Sequence, residues 1–230
     1  MQMVILCGGL ATRLGGIAKD IPKSMIKIKD KPFLWYQIQN IKKSGIKDIV
    51  LCVGHLSEQI ENYFKKGEKF DVNIKYSYDK DKPLGPIGAL KKAEKILQNN
   101  FFIMYGDSYV FVDFKQLSEY FIKQKTDALM VVYKNYDKYD KSNIIVNENM
   151  VKQYAGDRTK YANYIDYGVS VFNKKILEKI PENVFYSTND LFTNLVKKEK
   201  LFAYEVKNRF YHIGTPDALE EFKKFTEKNL

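Results

Sequence analysis

The chain has 230 residues, of which 45% are hydrophobic and 29% are charged, which is typical of one compact globular domain and not of a disordered chain. The formal net charge is +10, but the lysines stand in pairs beside acidic residues on helix-like stretches, which favours a solvated surface over a nucleic-acid interface. No apolar run approaches the roughly 20 residues of a membrane span, and the first residues lack a basic signal-peptide region. Cys7 and Cys52 lie within apolar segments, as expected for buried thiols in a reducing compartment. We therefore expect a cytoplasmic protein with neither a membrane nor a nucleic-acid partner.

Apolar runs alternate with amphipathic ones in the first half of the chain. Buried or alternating apolar residues predict strands at Met3–Cys7, Asp48–Val53, Val72–Tyr78 and Phe101–Tyr105. A period near 3.6 residues predicts helices at Pro32–Ser44, Ser57–Lys66 and Pro86–Leu97. This alternation is typical of a mainly parallel sheet with helices on both faces, so we expect a three-layer, Rossmann-like α/β fold.

The second half of the chain has a weaker pattern. Strands are expected at Ala128–Tyr133, Asn143–Val146, Val151–Tyr154, Ile165–Phe172 and Leu201–Val206, with a turn at residues 147–149. Helices are expected at Gln116–Lys125, Lys174–Lys179, Asn189–Glu199 and Pro216–Lys228. No linker divides the chain, so residues 1–230 are expected to form a single domain in which this half extends the same sheet.

A loop of small residues, Gly8–Leu14, follows the first predicted strand. Such a loop faces the ligand crevice of an open α/β sheet, and adjacent glycines let backbone N–H groups approach phosphate oxygens. The alternative is an ordinary tight turn with a surface arginine. Neither G-x-G-x-x-G nor G-x-x-x-x-G-K-[ST] is present, which argues against a nicotinamide or flavin oxidoreductase. Ten residues after Arg13 stands Lys23, and these two cations together suit a polyphosphate.

The pattern G-G-x-x-T-R-L followed by P-K-x-M resembles the sugar-1-phosphate nucleotidyltransferases. The other segments that carry the resemblance are Leu84–Leu90, Tyr105–Ser108, Tyr164–Gly168 and Phe210–Pro216. Within that family, the short guanylyltransferases for heptose or mannose 1-phosphate look most similar. The resemblance implies a nucleotide-diphospho-sugar transferase type of fold, with residues 1–110 as the nucleotide-binding half and residues 111–230 as the sugar-binding half.

The activity that the resemblance implies is the synthesis of an NDP-sugar and pyrophosphate from a nucleoside triphosphate and a sugar 1-phosphate, for surface polysaccharides. GTP and a heptose or mannose 1-phosphate are favoured. The alternatives are a CTP- or UTP-using transferase acting on another sugar or on a non-sugar phosphate, and a catalytically silent protein that binds a nucleotide sugar. A homodimer is left open as an alternative to a monomer.

By resemblance, one set of residues contacts the nucleotide. These residues are Leu6, Gly8, Gly9, Thr12, Arg13, Lys23, Gly85 and Gly88, the last two allowing close approach of the base and ribose. Relatives commonly have Thr-Gly where this chain has Pro86 and Ile87, and proline supplies no N–H donor. The identity of the base therefore stays open, and a plain proline-started helix is the alternative.

Asp107 follows the apolar run Phe101–Tyr105, so it is expected at the carboxyl end of a buried strand beside the first loop. A carboxylate there suits Mg²⁺, which prefers oxygen ligands and shared phosphate oxygens, whereas a turn or capping aspartate is the alternative. We predict Arg13, Lys23 and Asp107 as the catalytic residues. Relatives often place a second metal-binding carboxylate where this chain has His212, which could bind a softer metal, donate to a phosphate or be structural.

The resemblance also implies a set of sugar contacts, namely Tyr105, Asp166, Gly168 and Arg158. Asp166 would accept hydrogen bonds from two sugar hydroxyls, and Gly168 would let a sugar ring approach. Arg158, with Asp157, stands near the place of a Glu-Lys pair in relatives and would contact a phosphate. An ordinary surface turn is the alternative for Arg158.

Overall fold

The computed structural model describes residues 1–9, 14–15, 19–79, 82–154 and 161–230, and the structural statements that follow concern these residues. The strands are β1 (Gln2–Leu6), β2 (Lys27–Ile28), β3 (Lys31–Pro32), β4 (Asp48–Val53), β5 (Asn73–Tyr78), β6 (Asn100–Tyr105), β7 (Ser108–Tyr109), β8 (Ala128–Lys134), β9 (Ile144–Asn147), β10 (Met150–Tyr154), β11 (Tyr164–Asn173), β12 (Phe202–Val206) and β13 (Tyr211–His212). The α-helices are α1 (Phe33–Lys43), α2 (Ser57–Phe64), α3 (Gly85–Lys92), α4 (Phe114–Gln124), α5 (Thr188–Lys197) and α6 (Pro216–Asn229).

The central sheet has nine strands in the order β5-β4-β1-β6-β11-β8-β12-β10-β9. Within it, β4 and β6 both pair in parallel with β1, and β5 pairs in parallel with β4. Strand β11 is antiparallel to both β6 and β8, and β10 is antiparallel to β12 and β9. All the other strands of this sheet therefore point the same way. The predicted mainly parallel α/β fold is confirmed, with the two reversed strands confined to the second half.

Helices pack on both faces of the sheet because side chains alternate along each strand. In β1, Met3 and Ile5 belong to the buried cluster under α1, α2 and α4, whereas Val4 belongs to the cluster under α3 and α5. Each fully buried aliphatic or aromatic side chain contributes roughly 1.5–3 kcal/mol of hydrophobic stabilisation. A third cluster, which includes Phe33 and Phe222, joins α6 to α1. The result is the three-layer arrangement that the sequence predicts.

The predicted strands and helices agree with the observed ones to within two residues at their ends, apart from two helices. Helix α3 ends at Lys92, and a separate 3₁₀ turn follows at Glu94–Ile96, so the predicted extension to Leu97 is wrong. The N–H of Ala93 already reaches carbonyls three and four residues back, which marks the change from α to 3₁₀ geometry. The predicted helix at Lys174–Lys179 is entirely 3₁₀.

Two small sheets are not predicted from the sequence. Strands β2 and β3 form a hairpin, and β7 pairs with β13, so that His212 lies opposite Ser108. Strands of two residues are too short to show an alternation of apolar and polar side chains. The β7–β13 pair brings the C-terminal segment to the end of β6, which determines the composition of the site. In the described part of the chain, no helix is long and apolar enough to cross a membrane.

Candidate active site

The ends of β1 and β6 meet closely at Gly106. Its N–H donates to the carbonyl oxygen of Leu6 at 3.0 Å, and a Cβ at this position would lie 2.6 Å from the same oxygen. Only glycine fits such a close backbone approach. Asp107, the next residue, is consequently held at the carboxyl end of the sheet beside the segment that continues from Leu6 into Cys7 and Gly8, which is where the sequence places it.

Lys23 and Asp107 form an ion pair in which Nζ and Oδ2 are 2.6 Å apart. The exposed fractions of the two side chains are 14% and 26%, so this pair is better shielded from water and salt than an ordinary surface pair. The Ser108 hydroxyl donates to the other carboxylate oxygen at 3.3 Å. Two of the three predicted catalytic residues therefore lie in direct contact.

Gln37, for which no functional role is predicted from the sequence, holds the segment that carries Asp107. Its side chain is 1% exposed on α1, and Nε2 donates to the carbonyls of Tyr105 at 2.9 Å and Ser108 at 2.7 Å. One turn along the helix, Asn40 donates to the carbonyl of Val110 at 2.7 Å. These bonds satisfy carbonyls of a segment that leaves the sheet. An amide on the buried face of an otherwise amphipathic helix is the signal that could have identified Gln37.

His212 lies on the C-terminal segment that crosses in front of β7. The N–H of Ile213 donates to the carbonyl of Asp107 at 3.0 Å, which fixes this segment against the site. The N–H of Gly214 donates to His212 Nδ1 at 3.0 Å. Because Nδ1 accepts this hydrogen bond, the neutral imidazole carries its proton on Nε2. Neither ring nitrogen then offers a lone pair to a cation, so the geometry argues against the predicted metal-binding role of His212.

Tyr105, Asp166 and Gly168 converge, as their assignment to one subsite requires. The Tyr105 hydroxyl donates to Asp166 Oδ2 at 2.8 Å, and the N–H of Gly168 donates to Oδ1 at 2.8 Å. Burial raises the pKa of the Asp166 carboxyl to about 6, against the opposing effect of these two hydrogen bonds. Burial and the nearby Asp166 charge also raise the pKa values of Tyr105 and Tyr154. At neutral pH the cluster thus presents a carboxylate beside protonated phenols.

Gly168 joins this cluster to the Asp107 segment. It has a φ of +81°, and a Cβ there would lie 2.9 Å from the Ser108 hydroxyl oxygen. The sequence expects Gly168 to make room for a sugar ring, whereas the structure gives that space to Ser108. A small, mostly apolar cavity of about 10 Å³ lies between Leu6 on one side and Tyr105 and Gly168 on the other, which is roughly the space of one water molecule.

Gly85 and Gly88 lie against other backbone atoms of the protein in the direction in which a Cβ would point. A Cβ on Gly85, whose φ is +71°, would lie 2.8 Å from the carbonyl oxygen of Tyr186. A Cβ on Gly88 would lie 2.7 Å from the carbonyl oxygen of Val184. Packing against residues 184–186 is therefore a reason of its own for these glycines, and their contact with the nucleotide stays a prediction. By contrast, a Cβ on Gly8 would be 3.7 Å from its nearest neighbour, and Gly9 has nothing within 4 Å.

Three predicted contact residues, Thr12, Arg13 and Arg158, lie outside the described residues, as does Asp157. Among the residues that are described, no group of three or more His, Cys, Asp or Glu side chains forms a ready-made metal site. Burial raises the pKa of the Cys7 thiol to about 12, and it also raises the pKa of Cys52. Neither thiol is a nucleophile at neutral pH.

The site and fold together define a class of protein. The sequence model of the family described as "Nucleotidyl transferase" matches residues 2–229, so the chain belongs to the nucleotidyl transferase family. The predicted family and enzyme class are confirmed.

The chain is similar to curated enzymes of the same length. It is 33% identical to the D-glycero-alpha-D-manno-heptose 1-phosphate guanylyltransferase of Campylobacter jejuni, over 96% of this chain and 98% of that protein. The enzyme of the same name from Aneurinibacillus thermoaerophilus is 31% identical, over 97% of each chain. Among solved structures, HddC from Yersinia pseudotuberculosis complexed with GMP-PN has a TM-score of 0.83 at 24% identity, covering 98% of this chain and 99% of that one. At that identity, the structural likeness establishes the fold alone.

Proposed function

We propose that this protein transfers a guanylyl group from GTP to a sugar 1-phosphate of manno configuration, with a heptose 1-phosphate preferred over mannose 1-phosphate. The reaction takes place in the cytoplasm. Its products are pyrophosphate and a GDP-sugar that is used for surface polysaccharides. The observation that carries this proposal is the contact of Lys23 with Asp107 beside the open glycines Gly8 and Gly9. The relatives named above, which match this chain from end to end, support the choice of GTP and heptose.

The reaction forms a bond between a phosphate oxygen of the sugar 1-phosphate and the α-phosphorus of the triphosphate, and it breaks the bond from that phosphorus to the β-phosphate. A phosphate monoester has a second pKa near ~6, so the nucleophile is mostly dianionic at neutral pH and needs no strong base. The obstacle is the repulsion between two polyanions held in line. This chemistry agrees with a site built from cations and hydrogen-bond donors.

The charged residues divide this work. Lys23 Nζ holds the nucleotide phosphates, and Arg13, by resemblance, binds the β- and γ-phosphates and so stabilises the leaving group. Asp107 offers oxygen ligands to Mg²⁺, which suits a hard cation that takes its remaining ligands from phosphates and water. Bound there, Mg²⁺ would neutralise phosphate charge in the transition state. Phe210–Pro216, the described segment beside Asp107, contains no Asp or Glu, so the remaining ligands of the ion would come from substrate phosphates and water.

The second half of the chain selects the acceptor. Asp166 accepts hydrogen bonds from sugar hydroxyls through the lone pairs that Tyr105 and Gly168 leave unused. In the manno configuration, two neighbouring ring hydroxyls lie on the same side, which suits a carboxylate that can accept from both. Arg158 is proposed to contact the sugar phosphate.

A pyrophosphate-release panel tests the proposal. GTP, CTP, UTP and ATP are each combined with heptose, mannose, glucose and galactose 1-phosphates and with phosphocholine, in the presence of Mg²⁺. We expect the highest kcat/KM for GTP with the heptose 1-phosphate, followed by mannose 1-phosphate. A higher kcat/KM with another base or acceptor would contradict the proposed substrates but support the proposed type of reaction. No release from any pair would overturn the proposal in favour of a silent nucleotide-sugar-binding protein.

A pair of lysine variants separates the site from general effects of charge. Lys91 forms an ion pair with Glu94 whose exposed fractions are 10% and 25%, close to those of Lys23 and Asp107. Lys23→Met should lower kcat/KM by at least about 100-fold, because a phosphate contact is lost in a desolvated site. Lys91→Met should stay within about twofold of the unmodified protein. Equal losses in the two variants would contradict the assignment of Lys23.

A further inference from the structure

The carboxylate proposed to hold the cation is already neutralised in the free protein. Lys23 lies 2.6 Å from Asp107 Oδ2, and both groups are mostly shielded from solvent. A cation that approaches Asp107 therefore meets the positive charge of Lys23 at the same oxygen. Because the interaction of charges strengthens as water is excluded, this repulsion is larger than it would be on an open surface.

Two further described acids, Glu221 and Asp166, also have hydrogen-bond partners. Glu221 is bound by Arg209 through two hydrogen bonds of 2.7 and 2.8 Å. Asp166 accepts from Tyr105 and Gly168.

His212 adds an independent observation on the C-terminal segment. Its Nδ1 accepts from the Gly214 N–H, so its Nε2 carries a proton and the ring acts as a donor. A ring nitrogen that carries a proton does not suit a cation. The segment is fixed to Asp107 by the Ile213 N–H, so the donor is held within the same site.

We propose that Lys23 is a resident counterion that excludes the free divalent cation from Asp107, so that the metal enters only together with the triphosphate. This inference rests on the proposed function of the site. When the nucleotide binds with its cation, the Lys23 ammonium exchanges its contact with Asp107 for a contact with phosphate oxygens, and the cation takes its place on the carboxylate. A lysine suits this exchange because its charge is compact and its stem is flexible.

The proposal makes an unusual prediction: removing a positive charge should tighten cation binding and weaken nucleotide binding. Binding of Mn²⁺ alone, followed by its electron paramagnetic resonance signal, is measured for the full chain and for Lys23→Met, with Lys91→Met as the matched control. Lys23→Met should bind free Mn²⁺ at least about tenfold more tightly than the unmodified protein, and Lys91→Met should not differ from it. Adding Asp107→Asn to Lys23→Met should abolish the gain.

His212→Asp provides a second and separate measurement. An added carboxylate beside Asp107 should also tighten the binding of free Mn²⁺ by about tenfold, whereas His212→Asn should leave it unchanged. Circular dichroism confirms that each variant is folded, and only folded variants are compared.

Three results would overturn the inference. They are unchanged or weaker Mn²⁺ binding in Lys23→Met, tight binding of free Mn²⁺ by the unmodified protein, and a loss of Mn²⁺ affinity in His212→Asn. Mn²⁺ binding is read without substrate, whereas the proposed function is read as pyrophosphate release. A protein that follows the Mn²⁺ predictions but releases no pyrophosphate would refute the function and leave the counterion role standing.

Discussion

The two halves of the molecule build the candidate site in different ways. In residues 1–110, site residues come directly after parallel strands: Gly8 shortly after β1 and Asp107 shortly after β6. In residues 111–230, Asp166 and Gly168 lie within the antiparallel strand β11, and His212 lies in a two-residue strand that pairs across the molecule. Topology alone locates a site at the carboxyl ends of parallel strands. In the second half, by contrast, only tertiary pairing determines which side chains reach it.

The largest effect should come from the first half. Asp107→Asn removes the charge but keeps the size of the side chain, and we expect kcat to fall by about 1,000-fold, which corresponds to about 4 kcal/mol of transition-state stabilisation. Steady-state pyrophosphate release measures this, and the thermal midpoint of unfolding should change little. A kcat within tenfold of that of the unmodified protein would contradict the catalytic role of Asp107.

A second-half residue should affect the acceptor and not the nucleotide. Asp166→Asn keeps one acceptor oxygen but loses the charge, so we expect kcat/KM for the sugar 1-phosphate to fall by about 10- to 100-fold, since a hydrogen bond to a charged group is worth roughly 1.5–3 kcal/mol. The KM for GTP should stay within about threefold. An equal rise in the KM values for GTP and for the sugar 1-phosphate would contradict the proposal that the second half binds only the acceptor.

Gln37 tests whether the first half needs support from α1. Gln37→Leu leaves the carbonyls of Tyr105 and Ser108 without their donor, and an unsatisfied buried group costs about 1–3 kcal/mol. We expect a drop of that size in the free energy of unfolding and a fall of about tenfold in kcat, because the Asp107 segment loses its anchor. Denaturant unfolding and turnover are measured beside Asn40→Leu, whose bond to Val110 is farther from Asp107 along the chain. A larger loss of turnover in the Asn40 variant would contradict the role of Gln37.

The smallest effect is the pH dependence of stability that Asp166 contributes. Burial raises its folded pKa to about 6, above the ~3.9 of an unfolded chain. Between these values the folded protein binds more protons than the unfolded chain, so this contribution to the free energy of unfolding falls as the pH rises. The difference in thermal midpoint between the unmodified protein and Asp166→Asn should therefore change across pH 4–6 and stay constant above pH 7. A difference that does not vary with pH would show that the Asp166 pKa is not raised.

The sequence predicts the fold well because periodicity reports local structure. For the apolar strands β1, β4 and β6 and the amphipathic helices α1 and α2, the expected ends agree with the structure to within two residues, and the glycines after β1 indicate the loop. For the second half, the sequence predicts the individual strands and helices but not which strands pair with each other. Nothing in the local pattern indicates that β11 runs antiparallel between β6 and β8, since an alternating strand has the same pattern in either direction.

The missed features of the site have a common physical cause. Gln37 reaches backbone carbonyls far along the chain, and the tautomer of His212 depends on the Gly214 N–H. Gly85 and Gly88 are glycines because residues 184–186 pack on them, a contact between distant parts of the chain. Motifs identified which residues matter, but the partner of each residue is a property of the folded protein.

The central claim is that both halves bind one pair of substrates around Asp107. The most direct measurement is a crystal structure of the protein with a non-hydrolysable GTP analogue, the sugar 1-phosphate and Mn²⁺, in which anomalous scattering locates the metal. We expect Mn²⁺ bound to an Asp107 oxygen and to a phosphate oxygen, Lys23 on the phosphates, and the sugar beside Asp166. Mn²⁺ away from Asp107, or a nucleotide bound elsewhere than the Gly8–Gly9 loop, would contradict it.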